Sequence, residues 1–263
     1  MTSIAISAER GIGPRLRRLG ALMRHSFLLH GRDPGHLISY LVMPMILMLI
    51  FKPLFPPVHV VTGLLVMFSL LSLSIVGTVV LAERAWHTWD RLRATPARPH
   101  ELVLGKAVPL LVVLAVQQAI LILYGSALVG LPISAPLTGL AVVVWSITLV
   151  ALGTALAGLV HSQSQLSAAC NIGALSASAL GGAFVPLSGW AATIAPVSPG
   201  YWAVSMLRSA VRGDAAGMLG PAAVLLAIAV LAGAIGTVRL GRGEARLRGL
   251  IGGGDPAGWD RAR

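Results

Sequence analysis

The sequence predicts an all-α membrane protein with six transmembrane helices, and three observations carry that reading. Hydrophobic residues make up 56% of the 263-residue chain and charged residues only 11%, against roughly 25% charged residues in soluble domains. Residues 107–207 form a run of 101 without one Asp, Glu, Lys or Arg, and at about 20 residues per crossing such a run holds three membrane helices with their turns. Shorter charge-free runs at 34–51, 53–82 and 215–238 each hold one more.

The elements follow in order along one domain, residues 1–263, with no internal repeat and no separate soluble unit. Residues 1–36 form a polar, Arg-bearing tail. After Gly13 and Pro14, Leu16, Leu19, Met23 and Phe27 fall at steps of three, four and four, with Arg15, Arg18, Arg24 and His25 largely elsewhere. That spacing predicts an amphipathic helix over residues 16–29 lying flat in the membrane interface, although a basic membrane-proximal tail also shows such a pattern by chance over three turns. The first long apolar run starts only after residue 36, too far in for a cleavable signal peptide.

Helices one and two occupy residues 37–82, with Lys52 between Phe51 and Pro53 free to snorkel outward. Helices three to five occupy 102–187, divided at GSALVGLPISAP and ended by Pro186, Ser188 and Gly189 into spans at 102–124, 137–160 and 166–187. Cys170 lies inside the fifth and, being single, cannot form an internal disulfide. Residues 188–214 are too long for a plain turn. Ser198-Pro199 reads as a helix start, and Trp190, Tyr201 and Trp202 suit the interface, so short outer re-entrant or surface helices are expected there. Helix six occupies 215–238, and 239–263 is a second polar tail.

Seventeen of the twenty Lys and Arg fall in the two tails and in residues 83–106; Lys52, Arg208 and Arg212 fall on the other side. Positively charged loops stay in the cytoplasm, so both termini and the 83–106 segment are expected there. The net charge of +11 then reflects topology and anionic headgroups more than nucleic acid. Arg208 and Arg212 either attract anionic headgroups or only flank the last helix.

The charged segment, ERAWHTWDRLRATPARPHELVLGK over residues 83–106, puts Ala85, Trp86, Trp89 and Leu92 on one side of a helix and Arg84, His87, Thr88 and Arg91 mostly on the other, before Pro96 and Pro99 stop it. Two readings stand: a headgroup-level loop with aromatic anchors, or a docking helix for a cytoplasmic partner.

The pattern ER-x-x-x-T-x-D-R-L-R-A-T-P-x-R-P-x-E-L-V-L-G-K closely resembles the segment between membrane helices two and three of type 2 ABC transporter permeases, especially bacterial drug-export subunits of the daunorubicin-resistance kind. Residues 181–214, GGAFVPLSGWAATIAPVSPGYWAVSMLRSAVRGD, resemble the stretch before that family's last helix. Where the family usually has Gly-Thr after the E-R pair, this chain has Trp86-His87-Thr88, and Trp89-Asp90 stands where a Leu commonly precedes Arg-Leu. The resemblance implies that Glu83, Arg84, Thr88, Arg91, Leu92, Ala94, Thr95 and Pro96 form a cytoplasmic coupling helix, and that residues 16–29 form the interfacial connector. It also implies a homodimer or a heterodimer with a similar permease, two ABC ATP-binding subunits that hold the ATP and magnesium, and residence in the bacterial inner membrane. The export of hydrophobic or amphipathic drugs or lipids is expected over polysaccharide or glycolipid, because aromatic residues total only 5%.

The chain carries no cofactor or catalytic site of its own in this reading. Gly105-Lys106 lacks the upstream Gly and following Ser or Thr of a phosphate-binding loop, and no metalloprotease, nucleophile-elbow or paired Asp-rich motif is present. The main rivals are therefore an intramembrane enzyme, poorly supplied with acids, and an ion-coupled secondary transporter, which needs ionisable residues inside its helices. Gln117, Gln118 and Asn171 are the polar residues that either line a path or join helices. As adjacent residues the two glutamines face different ways, so at most one of them is expected on a path. His161 reads as an interface residue, and the Ala, Ser and Gly of the fifth helix as packing within the subunit or, less simply, between subunits.

Overall fold

The computed structural model describes residues 34–85, 99–131, 133–183 and 187–251. They form helices α1 (Pro34–Phe51), α2 (Pro57–Leu71), α3 (Leu73–Ala85), α4 (Pro99–Val129), α5 (Ala135–Leu159), α6 (Gln163–Leu180), α7 (Trp190–Ile194), α8 (Pro199–Arg212) and α9 (Ala215–Ile251), with a 3₁₀ turn at Ala195–Val197 and no strand among the described residues. Local chemistry sets the ends. Pro57 and Pro199 open helices where a missing N–H costs nothing. The Ser162 and Ser198 side chains cap the first turns of α6 and α8, and Gly130 and Gly213 take the left-handed conformation just past α4 and α8.

Four stretches are long and apolar enough to cross a membrane: Pro57–Leu81, Ala107–Val129, Ala135–Leu159 and Ala215–Arg239. Ile38–Phe51 is apolar but shorter. α6 has the length, but Gln163, Gln165, Asn171 and four serines keep it outside that class. The chain is thus a multi-pass membrane protein, and the expected first and fifth spans are not among the four stretches that meet both conditions.

α2 and α5 form the centre. α5 packs on α3, α4, α8 and α9, and α2 on α1, α4, α6 and α8. Leu64 and Leu65 of α2 and Trp145 and Leu149 of α5 are fully buried, while Ile46, Leu49, Leu123, Val230 and Leu231 leave the bundle surface apolar. In a bilayer that surface meets lipid chains, so the interior is held by close packing and polar contacts and not by exclusion of water. Gly63 and Gly200 permit two of the closest approaches, since a Cβ on either would fall on the carbonyl of Ala183 or Ala177 respectively.

Three boundaries differ from expectation. The second span is one crossing built from two helices, broken at Ser72. There Ser69, Ser72 and Ser74 turn their hydroxyls back onto the carbonyls of Val66, Phe68 and Leu71, which competes with the helical ladder and bends it. The last helix does not stop near residue 238 but continues to Ile251. The fifth helix closes at Leu180, where Gly181 and the left-handed Gly182 turn the chain.

Residues 52–56, 130–131, 133–134, 181–183 and 187–214 share one end of the bundle. Lys52 Nζ donates to the Leu128 carbonyl at 2.7 Å, and Arg208 Nη2 to Gly182 at 2.8 Å. Residues 85 and 99, and the turn at 160–162, lie at the opposite end, where Gln163 Nε2 donates to Thr78 Oγ1.

Candidate functional site

At the His161 end, Glu83 and Arg84 occupy the last turn of α3, described for their backbone only. Thr88, Arg91, Leu92, Ala94, Thr95 and Pro96 lie outside the described residues, as do Leu16, Leu19, Met23 and Phe27. The structure gives the frame around that segment. α3 ends and α4 begins at the same end as a reciprocally capped turn, in which Ser162 Oγ accepts from the Gln165 N–H while Gln165 Oε1 accepts from the His161 N–H. The Thr78–Gln163 bond ties this turn to α3, so the helix leading into the 86–98 segment is fixed to a second element of the bundle.

Inside the bundle, Gln117 and Gln118 are both buried and face different neighbours, as their adjacency requires. Gln117 Nε2 donates to the Tyr40 carbonyl at 3.1 Å and to Ser72 Oγ at 3.2 Å. The first contact has a cause in sequence. Pro44 sits four residues after Tyr40 inside α1 and has no N–H to give that carbonyl, so the amide of a neighbouring helix donates there instead. Tyr40 Oη also pairs with Ser74 Oγ at 3.1 Å. Gln118 Nε2 donates to Ser146 Oγ at 3.0 Å, and Trp145 Nε1 to Ser69 Oγ at 2.7 Å. Amides, hydroxyls and an indole thus form a polar belt joining α1, α2, α3, α4 and α5, with no acidic or basic side chain in it. Asn171 does not join the belt; it is exposed on α6, whose buried stripe is Leu166, Cys170, Ala174 and Ser178.

At the Lys52 end, α8 buries Ala203, Val204, Met206, Leu207, Ala210 and Val211 against α2, α5 and α9. Its other side carries Tyr201, Ser205, Arg208, Ser209 and Arg212 along a cleft of about 290 Å³. Arg208 is half-buried, and its Nε is buried with no partner among the described residues. Burial, with the like charge of Arg212 second, pushes its guanidinium down to about 10, which still leaves it charged at neutral pH.

Sequence reasoning missed the turn of Arg208 toward the backbone and the carbonyl that Pro44 releases. A signal existed for the second: a Pro inside an apolar helix calls for a donor from elsewhere at the carbonyl four residues earlier. Among the described residues no group of three His, Cys, Asp or Glu is placed to hold a metal ion. The family model described as ABC-2 type transporter matches residues 17–211. No curated protein matches the chain.

Proposed function

The chain belongs to the ABC-2 type transporter family, and from that premise we propose that it is one membrane-spanning half of an ATP-driven exporter of hydrophobic or amphipathic drugs or lipids. The family is that of a permease domain without an ATPase site, typically paired with an ATP-binding subunit. The match over 17–211 is the observation that carries the reading, because it spans the 83–106 segment and runs on through Arg208 of α8.

In this reading six helices cross the membrane, α1 and α6 joining the four long apolar stretches, with both termini on the cytoplasmic side of a bacterial inner membrane. Glu83, Arg84, Thr88, Arg91, Leu92, Ala94, Thr95 and Pro96 form the coupling element, and Leu16, Leu19, Met23 and Phe27 the apolar side of an interfacial helix. ATP and magnesium bind the partner subunit. Movement there reaches the bundle through the rigid frame at the His161 end and is passed to α3 and α4, which flank the segment. Support for ATP-driven over ion-coupled transport comes from the polar belt, which holds amides and hydroxyls but no titratable carboxylate or amine to bind and release an ion.

A second permease completes the path. The exposed side of α6, with Asn171, Gly173 and Ser176, supports that element as the one facing the other subunit, since small and polar residues in lipid gain from a close helix neighbour. The test is co-purification from the native membrane with an ATPase assay, for wild type and Arg91→Glu. A partner ATPase bound by wild type and lost in the variant is expected. Proton-driven uptake by the chain alone in liposomes without ATP overturns the proposal.

A further inference from the structure

The polar side of α8 is furnished with hydrogen-bond donors and lacks a counter-charge. Arg208 and Arg212 stand four residues apart, a spacing at which like charges on a helix repel. Among the described residues neither forms an ion pair, and Asp214, just beyond the helix, spends Oδ1 on the Gly217 N–H. The favourable field at a helix C-terminus accounts for Arg212 in the last turn, but not for Arg208 one turn further in. Among the described residues Arg208 is held by one nitrogen: Nη2 bonds to the Gly182 carbonyl, in the turn that Gly182 makes possible with its positive φ, while Nε has no acceptor there.

Tyr201, Ser205 and Ser209 line the same cleft, and no partner for their hydroxyls occurs among the described residues. His59, at the start of α2, lies within the field of both guanidinium groups and has a buried Nδ1 with no partner there. Two guanidinium groups and three hydroxyls thus line one cleft, with an imidazole in their field, and among the described residues no carboxylate pairs with them. A single group with several acceptor oxygens in the cleft meets its hydroxyls and the accessible guanidinium nitrogens, and relieves the Arg208–Arg212 repulsion.

We propose that the cleft between α8 and the Gly181–Gly182 turn binds an oxyanion, a phosphate or carboxylate brought either by an anionic lipid headgroup or by a free anion. Bidentate geometry suits Arg212, which is exposed and whose donors have no partner among the described residues.

The test uses the full chain in phosphatidylcholine nanodiscs, with and without phosphatidylglycerol. Native mass spectrometry counts retained phosphatidylglycerol, and calorimetry follows inorganic phosphate in the discs without it. Wild type should bind one of the two probes, and Arg212→Gln should weaken that binding about tenfold, the loss of one charge-assisted hydrogen-bonded group. Arg208→Gln should weaken it as much, but it also removes the Gly182 contact. The decision therefore rests on Arg212→Gln, with Arg239→Gln at the opposite end as the control that stays at wild-type affinity. Arginine-dependent retention of phosphatidylglycerol without saturable phosphate binding identifies the headgroup as the source; saturable phosphate binding in its absence identifies a free anion. Equal binding by wild type and Arg212→Gln, or binding of neither probe, overturns the proposal. The readout needs no ATPase subunit, so failure of the transporter reading leaves it intact.

Discussion

Replacing Gln117 by Leu separates the two roles open to a buried amide in a transporter. The side chains are close in volume, so no cavity opens and the change is confined to hydrogen bonding. Gln117 Nε2 makes two contacts, to the Tyr40 carbonyl and to Ser72 Oγ. Interhelical bonds inside membranes average about 0.6 kcal/mol and reach about 1.7, so the variant should lose about 1–3 kcal/mol. Denaturation of the purified chain by increasing dodecyl sulfate in mixed micelles measures that loss. The origin of the larger part is testable as well. Pro44→Ala restores a backbone N–H four residues after Tyr40, and in that background the cost of Gln117→Leu should fall by about half, because the carbonyl regains a helical donor. Ser72→Ala alone should cost less than Gln117→Leu, since it leaves the Tyr40 contact in place. If Gln117→Leu leaves stability unchanged while abolishing transport, the residue belongs to the path and the packing argument is wrong; if Pro44→Ala does not alter its cost, the carbonyl argument fails on its own.

Trp145→Ala should destabilise the bundle by about 3–5 kcal/mol, the range for emptying a fully buried aromatic site, while Trp145→Phe should cost about 1 kcal/mol through the lost bond to Ser69; the same denaturation assay ranks them. Gly200→Ala drives a methyl group onto the Ala177 carbonyl and should cost about 2 kcal/mol or more, visible as a lowered thermal midpoint in detergent, where Gly139→Ala, whose Cβ meets nothing within 4 Å, should stay near wild type. A cysteine at Asn171 in a Cys170→Ala background should form cross-linked dimers in native membranes under mild oxidation, whereas Cys170 itself, buried, should not; absence of dimers moves the subunit contact away from α6.

Much of the architecture was legible because lipid imposes so simple a rule. A charge inside the hydrocarbon layer is costly, so the empty run at 107–207 points to membrane passages, and it holds two stretches long and apolar enough to cross, Ala107–Val129 and Ala135–Leu159. The 83–106 segment stood out in the sequence for the complementary reason, its charges and tryptophans gathered between two apolar runs, while most of it lies outside the described residues. Partners across helices were not legible. Nothing local to Gln117 reveals that it meets a carbonyl 77 residues away, because that pairing depends on which helix faces which. The break at Ser72 was half legible, since three serines at 69, 72 and 74 stand inside an otherwise apolar run, but hydropathy averages over them. The inward turn of Arg208 was hidden by its sequence neighbours, which gave it the look of an ordinary flanking arginine.

The unbroken course of α9 has a mechanical consequence. Twelve of its residues continue past the apolar stretch that ends at Arg239, and at 1.5 Å per residue they form an arm of about 18 Å. Because arm and span are one rod, a tilt of about 10° at the bundle displaces the tip by about 3 Å. Packing α9 along α5 and α8 therefore lets a small change in their crossing angle be read as a side-chain-sized step well outside the bilayer, with no joint between to absorb it.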